Sequence, residues 1–279
     1  MLCFAGALMA AAVSGCSQAK AGKISSSAAP SRIVSMDFCA DQYALELMPR
    51  EHILALSPDA VSNFSYHRAR AENIPTVRAR AEDILALNPD MVIRSYGGGP
   101  GAARLFERAG IPVINIDWAN QIGGDDIGSV AALMRDVAGA LGQTDKGEAL
   151  IADYKARLQS LRRAKPVDKS ALYMTPYGVT TGPGTLIDDM MSQAGLENFQ
   201  TRAGWQPLPL ERLTRAQPDH IITGFFDTHN SSHWSIMRHP IARRLIQTRP
   251  VTQLDGAWTS CGAWFLMDAV EAIHKGARP

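Results

Sequence analysis

Two segments of this chain, residues 82–93 and 211–222, align with each other over twelve positions without a gap. In both, Glu opens a short helix-forming stretch, Pro-Asp occupies the eighth and ninth positions, and aliphatic residues follow. Because proline lacks an amide donor and clashes with the preceding helical turn, each segment predicts a short helix, a Pro-Asp turn and a buried strand. Such joints are common in α/β proteins, but agreement at the Glu, apolar, Pro-Asp and aliphatic positions favours an internal duplication and two related lobes.

The rest of the chain also alternates between short apolar runs and amphipathic helical stretches, which is typical of α/β proteins with parallel strands. The predicted strands are residues 32–36, 53–57, 91–95, 112–116, 170–175, 219–224 and 251–254. The predicted helices are residues 40–47, 82–87, 102–109, 185–194, 211–215, 236–246 and 262–274. The pattern predicts an α/β fold of two lobes, each with a central, mostly parallel sheet.

Residues 126–164 interrupt this alternation with an almost wholly helical composition, broken at Gly142-Gln143-Thr144. Thr144 is typical of a helix cap, and a helix over residues 144–163 would span ~30 Å, the width of a small domain. Its apolar repeat covers fewer heptads than a coiled-coil dimer needs, so we expect a single long helix that joins the lobes. The predicted domains are residues 32–125 for the first lobe, 126–165 for the helical segment and 166–279 for the second lobe.

The N-terminus is typical of an exported protein. The first fifteen residues carry no charge and are fewer than the ~20 apolar residues of a membrane-spanning helix. They end in Val13-Ser14-Gly15-Cys16, the pattern of a bacterial lipobox, although a plain cleaved signal also ends in small residues. Residues 17–31 are rich in Ser, Ala, Lys and Gly and predict a flexible tether. We therefore expect residues 1–16 to be an export signal and the mature protein to be periplasmic, anchored to the membrane by a lipid on Cys16.

Charge and cysteine content narrow the class of protein further. The net charge is +1 and no basic tract occurs, which argues against nucleic-acid binding. Cys3 lies in the signal, so Cys39 and Cys261 are left in the folded body, as a disulfide or as two buried free thiols. The sequence has no Gly-x-Ser-x-Gly elbow and no His-Glu-x-x-His pair, so it predicts a binding protein and not an enzyme.

Five short segments follow one another from Arg32 to the C-terminal half. They are residues 32–35, residues 88–93 with Tyr96-Gly97-Gly98-Gly99, residues 110–113, residues 181–185, and Trp205 ahead of Leu210-Glu211. This ordered set resembles the substrate-binding proteins of ABC importers for cobalamin, siderophores and haem, which have a helical backbone between their lobes. The resemblance implies a class III periplasmic-binding-protein-like fold, a metal chelate held between the lobes and little hinge closure. It also implies a permease and its ATPase as partners; we expect no cofactor and a monomer.

Aromatic residues follow many of the predicted strands, at the sheet edge where open α/β folds bind ligands. The residues after strands are Asp37-Phe38, the loop 63–67, Tyr96, Asp117-Trp118, Pro176-Tyr177, Phe225-Phe226 and Ala257-Trp258. Because flat rings stack on planar ligands, the predicted ligand-binding residues are Phe38, Tyr66, Tyr96, Tyr177, Trp205 and Trp258. Packing under a loop is the alternative for each ring. The resemblance supports ligand contact by Tyr96, Tyr177, Trp205 and Trp258. Some relatives have an Arg near the ligand in the region of residues 258–262, and because this sequence has none there, a strongly anionic ligand is less supported.

Other functions compete with chelate capture. His229 and His233 are four residues apart and would suit free Zn²⁺ or Mn²⁺ in a helix, although Asn230-Ser231-Ser232 between them is typical of a loop. Cys39 with a histidine would suit a periplasmic thiol-dependent hydrolase. A scaffold or sensor of the same fold is a third alternative.

The resemblance also implies an acidic residue on each lobe that contacts Arg on the permease. Glu211 matches the position in the second lobe. The corresponding region of the first lobe, residues 100–103, carries no acid, and Glu107 is the nearest candidate.

Overall fold

A computed structural model describes residues 29–118, 122, 128–164, 167–225 and 235–278. The strands of the first lobe are β1 Ile33–Ser35, β2 Ile53–Ala55, β3 Met91–Arg94 and β4 Val113–Asn115. They form a parallel sheet with the order β2-β1-β3-β4. The central strands β1 and β3 are buried throughout, as expected where helices cover both faces of a parallel sheet.

The second lobe has its own parallel sheet. Its strands are β5 Ser170–Met174, β6 Val179–Thr181, β7 Glu197–Asn198, β8 Trp205–Pro207, β9 His220–Gly224 and β10 Val251–Leu254. The sheet order is β10-β9-β5-β7, and β6 and β8 pair separately as an antiparallel ribbon. The predicted fold class is confirmed, and each sheet lies within the range predicted for its lobe. The strands β6, β7 and β8 were not predicted, because runs of two or three residues are too short to show a strand pattern.

The helices cover the sheets and connect the lobes. They are α1 Phe38–Leu47, α2 Arg68–Ala71, α3 Ala81–Leu85, α4 Ala102–Arg108, α5 Ser129–Ala140, α6 Thr144–Arg163, α7 Leu186–Gln193, α8 Leu210–Arg215, α9 Pro240–Thr248 and α10 Leu266–Ala277. The long helix α6 has its predicted bounds, but Gln143 holds the cap position and Thr144 is the first helical residue, so the predicted cap was wrong. Within the described parts of the chain, no helix has the length and apolarity to cross a membrane.

Helices α5 and α6 pack against each other. Gly147 of α6 lies against Ala138 of α5, and a Cβ at Gly147 would collide with the Ala138 side chain. The glycine therefore costs some helix propensity but allows the two helices to approach closely.

The two copies of the sequence repeat occupy equivalent places in the two lobes. The first copy forms α3 and β3, and the second forms α8 and β9. In each sheet the repeat strand pairs in parallel with the first strand of its lobe, β3 with β1 and β9 with β5. Asp90 accepts the backbone amides of Ser31 and Arg32 at 2.9 and 3.0 Å. Asp219 accepts the Ser170 amide at 2.9 Å, so the two aspartates fix equivalent strand starts, which supports the duplication.

The lobes are joined at a second place besides α6. Cys39 near the start of α1 and Cys261 after β10 form a disulfide, with their Cα atoms 5.7 Å apart. Next to it, the Tyr43 hydroxyl donates to the carbonyl oxygen of Gly262 at 2.8 Å. The segment that leads into α10 therefore crosses to the first lobe and is bonded to it covalently.

Ion pairs extend this contact along α10. Arg157 of α6 donates to Asp268 at 2.6 Å and to Glu271 at 2.7 and 2.8 Å. The Tyr66 hydroxyl of the first lobe donates to the same Asp268 at 2.9 Å. Because α10 thus contacts both α6 and the first lobe, the lobes are held together by more than one element.

Candidate functional site

A cavity of about 960 Å³ opens between the two lobes, near the upper end of volumes found for small-molecule sites. It is lined by residues of the first lobe, Phe38, Asn63, Phe64 and Trp118, and of the second lobe, Tyr173, Gly184, Thr185, Leu186, Ile187, Gly204, Trp205, Phe225, Thr259 and Ser260. Phe38 follows β1, Trp118 follows β4 and Phe225 follows β9. The cavity therefore lies at the carboxyl edges of both sheets, where open α/β folds bind ligands.

A buried carboxylate positions the wall of the first lobe. Oδ1 of Asp37 accepts the Ala40 amide at 3.0 Å and caps α1, which is a frequent role of Asp at a helix start. Oδ2 of Asp37 accepts the three successive amides of residues 95–97 at 2.7 to 3.1 Å. This one side chain therefore holds Phe38, at the start of α1, beside the loop that follows β3.

Aromatic rings contact each other on both walls of the cavity. On the first lobe, the Phe38 and Phe64 rings meet edge to face with centroids 5.1 Å apart. On the second lobe, the Tyr173 and Trp205 rings meet edge to face at 6.4 Å. Trp118 and Trp205 are 62% and 59% exposed, so each lobe presents a large ring that still has most of its apolar surface free to cover a ligand.

The β6–β8 ribbon positions Trp205. Trp205 is opposite Thr181 in the antiparallel register, and the Gly204 amide donates to the Pro183 carbonyl oxygen at 3.0 Å. A Cβ at Gly182 would collide with the backbone of Arg202, in the loop that leads into β8. Residues 181–185, one of the segments singled out in the sequence, therefore form a single unit with Trp205 on the cavity wall.

Of the six predicted ligand residues, the structure places Phe38 and Trp205 in the cavity lining. Tyr96 is half exposed, with its ring 6.1 Å from Phe38, but it lies outside the lining. Tyr177 is also half exposed and outside the lining. These two side chains lie on loops at the same sheet edges, and their contact with a ligand stays a prediction.

Tyr66 and Trp258, the other two predicted ligand residues, pack into the protein. The Tyr66 ring stacks on Phe265 at a centroid distance of 4.5 Å, and its hydroxyl is bonded to Asp268. Trp258 is partly buried against the main apolar core. Both rings show the packing that was the alternative for each aromatic residue, and since both are only partly buried, their contact with a ligand stays a prediction.

The lining also includes residues that were not predicted to bind ligand. Trp118 and Phe225 follow predicted strands, so their positions in the sequence already indicated that they lie at the ligand-binding edge of a sheet. Phe64 lies in the loop 63–67, from which only Tyr66 was predicted to bind ligand. Tyr173 lies inside β5, where an apolar strand buried on both faces gives no pattern that shows which side chain faces a cavity.

The described residues test the competing sites only in part. His229, His233 and Cys16 lie outside those residues. In the described ranges, no group of three or more His, Cys, Asp or Glu side chains is placed to bind a metal ion. Cys39 is bonded to Cys261, so the free thiol that a thiol-dependent hydrolase would need is not present in the oxidised protein.

The two predicted docking acids are exposed on different lobes. Glu107 lies on α4, and Glu211 lies in the first turn of α8. Neither belongs to the cavity lining, so both are free to contact another protein while a ligand is bound.

Comparison with known proteins connects this geometry to a family. The model of a family described as periplasmic binding protein matches residues 73–245, more than half of the chain. No curated protein matches the chain in sequence.

Several solved structures have a similar fold. The apo form of the periplasmic heme-binding protein RhuT from Roseiflexus sp. RS-1 is 23% identical, with a TM-score of 0.68 over 88% of this chain and 99% of that chain. The periplasmic heme-binding protein HutB of Vibrio cholerae is 19% identical, with a TM-score of 0.69 over 89% and 99%. The periplasmic vitamin B12-binding protein BtuF of Vibrio cholerae is 20% identical, with a TM-score of 0.63 over 89% and 96%. At these identities the likeness shows the fold.

Proposed function

The chain belongs to the periplasmic binding protein family, and from this membership we propose that it is the extracytoplasmic substrate-binding protein of an ABC importer. It captures a metal chelate, such as a corrinoid, a ferric siderophore or haem, and delivers it to the permease and its ATPase. The observation that carries the proposal is the cavity between the lobes with its aromatic walls. Similar structures named as heme-binding and vitamin B12-binding proteins agree with this class of ligand. Cys16 is proposed as the lipid anchor on the periplasmic side.

The cavity walls suit a flat ligand for a physical reason. Trp118 and Trp205 come from opposite lobes, and both rings are largely exposed in the free protein. A planar chelate between the lobes would remove apolar area of both rings from water, which contributes ~25 cal/mol for each Å² buried. The rings are rigid, so little side-chain entropy is lost when they stack on a ligand.

The first test is ligand binding by the mature protein. Tryptophan fluorescence is titrated with cobalamin, haem, a ferric hydroxamate and free Zn²⁺ or Mn²⁺, and we expect quenching by at least one metal chelate. Trp205→Ala is expected to weaken that binding at least tenfold, ~1.4 kcal/mol, because the variant loses a large exposed ring of the cavity wall. Quenching by the free metal ions alone would overturn the chelate proposal in favour of a metal-ion binding protein.

Two variants control for the Trp205 result. Trp205→Phe keeps an aromatic face and is expected to retain most of the affinity. Leu105→Ala shortens an exposed side chain on α4, outside the lining, and is expected to leave the affinity within twofold of the wild-type value. Equal affinities of Trp205→Ala and Leu105→Ala would show that Trp205 does not contact the ligand.

Docking is tested by transport. With the chain expressed beside its permease and ATPase, Glu211→Lys is expected to lower chelate uptake at least tenfold at unchanged ligand affinity, because reversal of the charge repels an arginine on the permease. Glu107→Lys tests the first lobe in the same way. Glu72→Lys is the control, since Glu72 is an exposed acid distant in sequence from both docking positions. A loss of uptake with Glu72→Lys equal to that with Glu211→Lys would contradict a specific role for Glu211.

A further inference from the structure

Two hydroxyl groups of the cavity lining, the Tyr173 hydroxyl and the Thr259 Oγ1, are buried and have no hydrogen-bond partner among the described residues. Tyr173 is fully buried in β5, and Thr259 follows the turn after β10. Among the described residues, other buried phenols are bonded: Tyr43 donates to Gly262 and Tyr154 donates to Ile122. Because a buried polar group without a partner is costly and uncommon, two such groups on one cavity wall need a cause.

The protein leaves space for the Tyr173 hydroxyl. Gly224 ends β9, the strand beside β5, and a Cβ at this position would collide with the Tyr173 hydroxyl. On its other side, the Tyr173 ring meets Trp205 edge to face. The phenol is therefore held between a glycine and an exposed ring of the site, at the carboxyl edge of the second sheet.

Burial also decides the protonation of this group. It raises the pKa of Tyr173, so the hydroxyl keeps its proton at neutral pH and is a hydrogen-bond donor. Thr259 offers a hydroxyl that either donates or accepts. None of the described residues accepts a hydrogen bond from the phenol, and a ligand that enters the cavity would supply an acceptor.

The charge of the lining restricts which acceptor fits. The lining residues that the structure describes carry no charged side chain; their polar groups are hydroxyls, the Asn63 amide, the indole N–H groups of Trp118 and Trp205, and the backbone. A ligand carboxylate would there lose its hydration without gaining a counter-charge, which is unfavourable. A neutral carbonyl or amide oxygen loses much less hydration and accepts a single hydroxyl proton well.

We propose that Tyr173 and Thr259 are specificity-determining residues that hydrogen-bond uncharged carbonyl or amide oxygens on the periphery of the metal chelate. This inference rests on the proposed function and adds the class of chelate: one with a flat apolar face and neutral oxygen acceptors, in preference to one that relies on carboxylates. Cobalamin, with its amide side groups, and ferric hydroxamates, with carbonyl oxygens, are probes of this class. Haem, with two carboxylates, is the contrasting probe.

The test combines affinity with stability. Tyr173→Phe and Thr259→Val remove each hydroxyl and keep the side-chain shape, and each is expected to weaken binding of cobalamin or the ferric hydroxamate roughly three- to tenfold. The melting temperature of the free variants is expected to stay equal or rise, because neither hydroxyl has a partner to lose among the residues that the structure describes. Tyr154→Phe is the matched control: it removes a buried hydroxyl that is bonded, so we expect a lower melting temperature with unchanged affinity.

Each outcome separates this inference from the proposed function. If the wild-type protein binds a chelate and Tyr173→Phe binds it equally well, the inference is overturned while the proposed function stands. If haem binds most tightly and loses the most affinity in Tyr173→Phe, the neutral-oxygen class is wrong. A melting temperature for Tyr173→Phe as low as that for Tyr154→Phe would show a structural role for the hydroxyl. A wild-type protein that binds none of the three chelates contradicts the proposed function itself.

Discussion

Loss of the Cys39–Cys261 disulfide is expected to lower the free energy of unfolding by about 5 kcal/mol. The bond closes a loop between residues that are 222 positions apart, so it removes many conformations from the unfolded chain. Urea unfolding of the wild-type protein and of the double variant Cys39→Ala, Cys261→Ala measures the difference directly. A shift of less than 1 kcal/mol would mean that the bond constrains the unfolded state far less than its loop length indicates.

The same bond is expected to matter for the cavity. Phe38 and Ser260, the residues that precede the two cysteines, both line the cavity, one from each lobe. The double variant is therefore expected to bind the chelate more weakly under conditions in which it is still folded. Thiol titration of the unfolded, unreduced wild-type protein is the control, and Cys39 and Cys261 should contribute no free thiol. Two free thiols from these positions would contradict the bond.

The second large effect concerns pH, through the buried carboxyl of Asp41. Burial raises the pKa of Asp41 to about 7, against the opposing effect of hydrogen bonds from Ser57, whose amide and hydroxyl donate to the carboxylate at 3.0 and 2.6 Å. The folded state therefore holds a proton that the unfolded state, with a pKa of 3.8, has already lost. The contribution of Asp41 to the free energy of unfolding is therefore fully present below pH 4. It is lost as the pH rises to about 7, and the loss is on the order of 4 kcal/mol.

The variant Asp41→Asn isolates this effect, because an amide does not titrate and still accepts the Ser57 amide. We expect the unfolding free energy of the variant, relative to the wild-type protein, to increase between pH 4 and pH 7 and to stay level above. Asp219→Asn is a control of opposite sign: hydrogen bonds from Ser170 lower the pKa of Asp219, so its contribution is lost as the pH falls. A wild-type minus Asp41→Asn difference that is constant with pH would contradict the raised pKa.

Much of the fold could be predicted because its signals are local. The α6 helix has its predicted bounds, Thr144–Arg163, since apolar residues repeat at helical spacing for about three turns within it. The repeated Pro-Asp pairs predicted two equivalent helix–strand units, and both exist with the same strand pairing. The β6–β8 ribbon was missed because its pairing, Thr181 with Trp205, joins residues far apart in sequence and depends on no local pattern.

The sequence predicted that the site lies at the carboxyl edges of the sheets, but not which side chains there face the ligand. The strand-end rule identified Phe38 and Trp118 as residues after strands, and both line the cavity. The same rule included Tyr66 and Trp258, whose rings pack into the protein, because it gives the position of a residue in the chain and not the direction of its side chain.

The sequence by itself determined the parts that depend on neighbours along the chain: two related α/β lobes, the helix between them and the aromatic loops at the strand ends. Tertiary structure alone decided that Cys39 and Cys261 are bonded, that Tyr173 faces the cavity and that its hydroxyl has no partner in the described parts of the chain. The physical reason is that bonding distance, side-chain direction and hydrogen-bond satisfaction all depend on residues from distant segments. The repeat of residues 82–93 and 211–222 predicted that there are two lobes, and the packing of the lobes created the cavity.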